Sequence, residues 1–182
     1  MRQLLLAGII SRKHEYKKGG AAISPSILIR VGGLAAMVCS VAWLASGRWF
    51  ETPMFTLLVV GVMAAIGVLY ALQRERYGLR FLVTLASLMA FVGAAFLGAM
   101  LYMGSILLLV GGLLLATVGV FALAIVTIEA KVVPWWVGLA LIAGSPPIGF
   151  VFLPLVGVSW AMVGYGVFRA AGRRTERPPR VR

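Results

Sequence analysis

VVPWWVGLALIAGSPPIGFVFLPLVGVSWAMVGYGVF, residues 132–168, is a run of 37 residues without a charge, and how it folds decides the architecture. A helix that crosses a membrane needs about 20 largely apolar residues, because the hydrocarbon core is about 30 Å thick and the rise is about 1.5 Å per residue. The run is too long for one crossing and just long enough for two short ones. It contains Pro146, Pro147 and Pro154. Each proline removes a backbone donor and crowds the turn before it. The sequence therefore predicts a reversal between Ser145 and Pro154, with spans over 132–146 and 150–168.

Upstream lie four apolar runs of spanning length, 27–46, 53–72, 81–103 and 106–128. Together they predict an all-α, polytopic transmembrane bundle of six helices over 27–168. Residues 1–26 precede it, and a basic tail, 169–182, expected to be disordered and apposed to lipid, follows it. Charge tests the count independently, since cytoplasmic loops are enriched in Lys and Arg. With six crossings and a cytoplasmic N-terminus, 16 of the 17 basic residues fall inside. Arg48 alone falls outside, close to Glu51. Five crossings would export the six arginines of 169–182. Both termini are thus expected in the cytoplasm, and the protein in the inner (plasma) membrane.

The net charge of +12 flanks these spans. There it orients the chain and attracts anionic lipid, so membrane lipids are the expected partners and nucleic acid is not. Within residues 1–26, Leu4–Ile10 is only just long enough for a signal-peptide core. It is followed by Ser11-Arg12-Lys13-His14-Glu15 instead of a small-residue cleavage site. A short interfacial helix fits better, with docking to a partner as the alternative.

The chemistry of the chain is sparse. Asp and Asn are absent, His14 is the single histidine, and Glu15, Glu51, Glu75, Glu129 and Glu176 are scattered. A Mg²⁺-dependent lipid enzyme needs clustered carboxylates. A serine hydrolase needs a base beside its nucleophile. Proton relays and ion-coupled carriers need ionisable groups near the bilayer centre, and no span has one there. The expectation is a protein that is not an enzyme, with no cofactor, metal or catalytic residue. The function expected is an accessory, scaffold or lipid-contacting one, the alternative being a small transporter or channel for a neutral or apolar solute.

Two places merit attention. Pro146, Pro147 and Pro154 with Trp160 and Tyr165 mark a possible cavity, because irregular backbone at membrane depth must be buried in protein or line one. Arg74, Arg76, Arg80, Glu129 and Lys131 could converge into a cytoplasmic headgroup site. Pairs such as Gly32–Ala36, Gly61–Ala65, Ala90–Ala94, Ala95–Ala99 and Gly112–Ala116 favour close helix packing, with a homo-oligomer or protein partner as a further possibility. Trp49, Phe50 and Tyr102 on one side and Tyr77, Trp135 and Trp136 on the other fit interfacial belts.

The segment Thr127-Ile128-Glu129-Ala130-Lys131-Val132-Val133-Pro134-Trp135-Trp136-Val137-Gly138, followed by Ala143-Gly144, resembles one that recurs in small six-helix bacterial multi-pass membrane proteins of unknown function. There a charged turn leads into an aliphatic-Pro-basic-Trp-x-Gly helix start. Trp135 stands here where a basic residue is usual. The resemblance implies a bacterial inner-membrane protein and brings no activity with it.

Overall fold

In the computed structural model, residues 25–49, 51–74 and 80–175 are described. The interfacial segment expected before residue 25, Arg76, and the tail after residue 175 lie outside them. The described residues fold into seven helices: α1 (Pro25–Ser46), α2 (Thr52–Gln73), α3 (Arg80–Met103), α4 (Ile106–Ala130), α5 (Trp136–Ala143), α6 (Pro146–Val151) and α7 (Leu153–Thr175). Five of these, α1 to α4 and α7, are long and apolar enough to cross a membrane. The 24 residues of α3 alone reach about 36 Å.

The apolar run 132–168 breaks twice. Where the sequence predicts one helix over 132–146, the chain forms the short α5, a turn at Gly144–Ser145, and α6. Pro146 and Pro147 explain the break. Neither can donate the amide that a continuous helix would use, yet at the first two positions of α6 the missing donors do no harm. Gly144 and Ser145 donate back to Ala140 and Ile142, which closes α5. The chain reverses at Phe152, whose backbone (φ −135°, ψ 74°) leaves the helical region for one residue. Beyond it α7 runs back antiparallel. A methyl group built on Gly149 would meet Val156, one on Gly144 would meet Trp160 and Ser159, and one on Gly166 would meet Val137 and Trp136. Residues 136–151 thus rise about 24 Å, less than the core of a bilayer.

At its other end α7 continues past Phe168 to Thr175, into the stretch expected as a tail. Ala170 and Ala171 are buried there, which supplies the packing an exposed basic tail would lack.

Each helix packs on its sequence neighbour, and α7 closes the ring by packing on both α1 and α5. The closest approaches occur at glycines. Gly93 and Gly119 bring α3 and α4 into backbone contact, and Gly33 and Gly164 do the same for α1 and α7. Large apolar side chains such as Leu107, Phe81 and Val118 point outward, while Ile66, Leu69, Leu123 and Val163 fill the centre. An apolar exterior around an apolar core is what hydrocarbon solvent requires, and packing then holds the helices together.

The antiparallel order gives the bundle two chemically distinct ends. Arg30, Arg74, Arg80, Lys131 and Arg169 lie at one, the basic end. The other, the turn end, carries residues 47–49, Glu51, Gly104–Ser105 and Phe152. Arg48 there pairs with Glu51, Nε to Oε1 at 3.3 Å.

Candidate functional site

A cavity of ≈ 290 Å³, partly open, runs from the turn end to the middle of the bundle. Its mouth is made by residues at helix ends: Phe55 in the first turn of α2, Leu101 in the last turn of α3, Leu109 at the start of α4 and Leu153 at the start of α7. Val62, Ala90 and Val120 lie at the floor, and Trp43, Gly144, Pro146, Gly149 and Trp160 form the wall beside the break in the fifth apolar run. Below the floor the interior is filled by Ile66, Leu69, Leu123, Val137 and Val163, all fully or nearly fully buried.

Trp160 is 3% exposed and donates its indole N–H to the Gly144 carbonyl at 3.0 Å. Gly144 sits at the break, where Pro146 and Pro147 disrupt the regular ladder, so the tryptophan satisfies a buried carbonyl that the ladder leaves over. A second tryptophan braces the mouth. Trp43 is fully buried, donates to the Trp49 carbonyl at 3.0 Å, and lies 6.1 Å from the Trp49 ring. Across the rim, the Thr56 hydroxyl and the Tyr102 phenol share a hydrogen bond of 2.9 Å that ties α2 to α3.

Of the five residues singled out for a cavity, Pro146 and Trp160 line this one. Pro147 and Pro154 are exposed. Tyr165 is 49% exposed and stacks on Trp136 with centroids 6.4 Å apart. Five helical positions turn a side chain about 140° from its starting direction, so Tyr165 could not share the face of Trp160. At the basic end Arg74, Arg80, Glu129 and Lys131 are all exposed. They form an open charged rim and not an enclosed pocket, because each lies at or beyond a helix terminus with its side chain outside the packed interior.

Beneath that rim is a polar contact that the sequence reading passed over. Gln73 and Thr127 are both fully buried, and the Gln73 side-chain amide donates to the Thr127 hydroxyl at 2.7 Å. Thr127 in turn donates to the Leu123 carbonyl at 2.6 Å, so its hydroxyl has only a lone pair to offer the glutamine. The signal was present. Val62, Ile66, Leu69 and Gln73 are spaced by four, three and four residues, the stripe of one helix face. The span expected over 53–72 stops one residue short of Gln73.

This bridge makes a testable difference. Thr127→Val removes the acceptor and leaves a buried amide unsatisfied, which is expected to destabilise the bundle by about 1–3 kcal/mol. Adding Gln73→Leu removes the orphaned donor too and should recover most of the loss. Unfolding curves in mixed micelles would show this as a coupling of about 1 kcal/mol, within the range found for polar pairs in membranes. Additive single losses would mean that the two side chains do not act together.

Compared with known proteins, the chain matches no family model, no curated protein and no solved structure.

Proposed function

We propose that this is a non-enzymatic multi-pass protein of a bacterial inner membrane that crosses the bilayer six times, keeps both termini in the cytoplasm, and acts through contact with lipid. One observation carries the reading: an apolar bundle with five described basic side chains at one end and Arg48, paired with Glu51, at the other. Under the positive-inside rule the basic end is cytoplasmic. There the exposed Arg74, Arg80 and Lys131 would meet anionic headgroups, each contributing about 1 kcal/mol near a charged surface. The broken α5–α6 arm, running from the basic end to the turn end against α7, supports the even number of crossings. Its shortness is relieved if the bilayer thins locally around it.

A cysteine-accessibility experiment in a Cys39→Ser background tests the arrangement. Ser105→Cys should react with a membrane-impermeant maleimide in intact cells, and Arg74→Cys only after the membrane is opened. The reverse pattern would overturn the orientation, and reporters fused to the two termini on opposite sides would overturn the count. Lipid contact is read by native mass spectrometry. Each of Arg74→Gln, Arg80→Gln and Lys131→Gln should weaken retention of phosphatidylglycerol by about fivefold. Undiminished retention in the triple variant would remove the basic end from the account.

A small transporter for an apolar solute is the second reading, and the helix broken beside a cavity favours it, as in carriers with discontinuous helices. The filled layer between the cavity floor and the Gln73–Thr127 bridge would have to open for it to operate.

A further inference from the structure

The dimensions of the cavity select its occupant. Along α3 its lining runs from Ala90 to Leu101, and along α4 from Leu109 to Val120. Eleven helical steps in each correspond to a depth of about 16 Å. The space of ≈ 290 Å³ is spread over that depth, so the cavity is an elongated slot. An extended alkyl chain matches that shape along its length.

Chemistry selects in the same direction. The indole N–H of Trp160 is already given to Gly144, so a guest hydroxyl or amine carried to the floor would meet only hydrocarbon, at a large desolvation penalty. The mouth differs. Thr56 and Tyr102 follow Phe55 and Leu101 by one residue each, and their bonded hydroxyls mark where the apolar lining gives way to polar groups. An alkyl chain seated against these apolar side chains makes dispersion contacts along its whole length.

We propose that the cavity binds one linear hydrocarbon chain, inserted tail first from the turn end, with its polar head left at the rim beside Thr56 and Tyr102. The inference does not depend on which end faces the cytoplasm or on the basic rim, so it can fail while the reading above stands, and the reverse. The chain could belong to a bilayer phospholipid or to a single-chain amphiphile, and the test separates the two.

The probe is a series of alkylphosphocholines with octyl, dodecyl and hexadecyl chains, each brominated at the chain end, added to the full-length protein in phosphatidylcholine nanodiscs. Bromine quenches tryptophan at short range, and Trp160 sits deep in the wall. Dodecyl and hexadecyl probes should quench saturably with one site per protein and the octyl probe weakly; because Trp43 also borders the cavity, Trp160→Phe should reduce the saturable component and Trp43→Phe with Trp160→Phe should remove it. Val62→Phe fills the floor and should weaken the hexadecyl probe by roughly tenfold while leaving the octyl probe within about twofold, since only the long chain loses packing partners. Nanodiscs of chain-brominated phosphatidylcholine, with no added probe, identify the bilayer as the source if Trp160 is already quenched, and a single-chain amphiphile if it is not. Unsaturable quenching in the wild-type protein, equal for all chain lengths and untouched by Trp160→Phe, would overturn the proposal. So would displacement of the dodecyl probe by a tailless quinone.

Discussion

Gly119→Ala is expected to destabilise the bundle by about 1–3 kcal/mol, and Gly119→Leu to prevent α3 and α4 from pairing at all. A Cβ on Gly119 would sit against the backbone of α3, meeting the nitrogen of Ala90, then its Cα at 2.7 Å and the Met89 carbonyl carbon at 2.8 Å. Gly93 has the reciprocal contact, with the Cα of Ala116 at 2.6 Å and its Cβ at 2.9 Å. A crowded side chain can change rotamer, but a backbone cannot, so relief requires one helix to slide or tilt away from the other. That movement breaks packing along the whole pair. In a bilayer no hydrophobic force between helices compensates, because the lipid is as apolar as the interface. Gly67 provides the control, since a Cβ there meets nothing within 4 Å. Gly67→Ala should be stabilising by up to about 1 kcal/mol through helix propensity alone. Unfolding in mixed micelles would order the variants as Gly67→Ala, wild type, Gly119→Ala. If the two alanine variants behaved alike, the close α3–α4 crossing would be wrong.

The contrast between those glycines also marks what could and could not be read from the sequence. Long apolar runs announce helices because hydrocarbon forces every backbone amide to be satisfied within its own segment. Small residues announce close packing, but with 22 glycines in the chain they do not say which face each one occupies. Ala90 and Ala116 belong to spaced pairs and do lie at the α3–α4 contact, whereas Ala95 and Ala99 are spaced identically and are only partly buried. Gly93, Gly119, Gly33 and Gly164, where the backbones come closest, stand in none of the pairs selected by spacing. The cavity divides in the same way. Proline and a mid-span tryptophan point locally to a break and a buried indole, so the Pro146–Trp160 wall is legible. The mouth and floor, from Phe55, Leu101, Leu109 and Val120, consist of ordinary apolar residues whose shared orientation exists only once the helices have closed into a ring. Tyr165 was a failure of periodicity rather than of information. Gln73 was another: its place at the end of an inward stripe outweighs its polarity, because Thr127 supplies the partner that makes burial tolerable.

Trp160→Ala should cost about 3 kcal/mol, at the lower end of the range for removing a buried aromatic. The value is low for a physical reason. In water, truncation forfeits the transfer of the side chain out of solvent, but here the separated helices remain in hydrocarbon, so chiefly packing and the hydrogen bond are lost. Trp160→Phe keeps most of the volume and loses only the donor to Gly144, at about 1–2 kcal/mol. The two substitutions therefore divide the side chain's role. If the phenylalanine variant is as unstable as the alanine variant, the indole acts mainly by satisfying the carbonyl at the α5–α6 break. If it is as stable as wild type, that carbonyl finds another donor and the tryptophan is a wall and nothing more. The alanine variant has a further property, because the indole it removes borders the cavity and its loss widens the slot. A bilayer richer in branched chains should then recover part of the lost stability in Trp160→Ala while leaving the wild-type protein unchanged. Measuring both variants in nanodiscs of straight-chain and methyl-branched phosphatidylcholine reads this directly. Equal destabilisation of Trp160→Ala in the two lipids would mean that bilayer chains do not reach the wall, leaving Trp160 as packing alone.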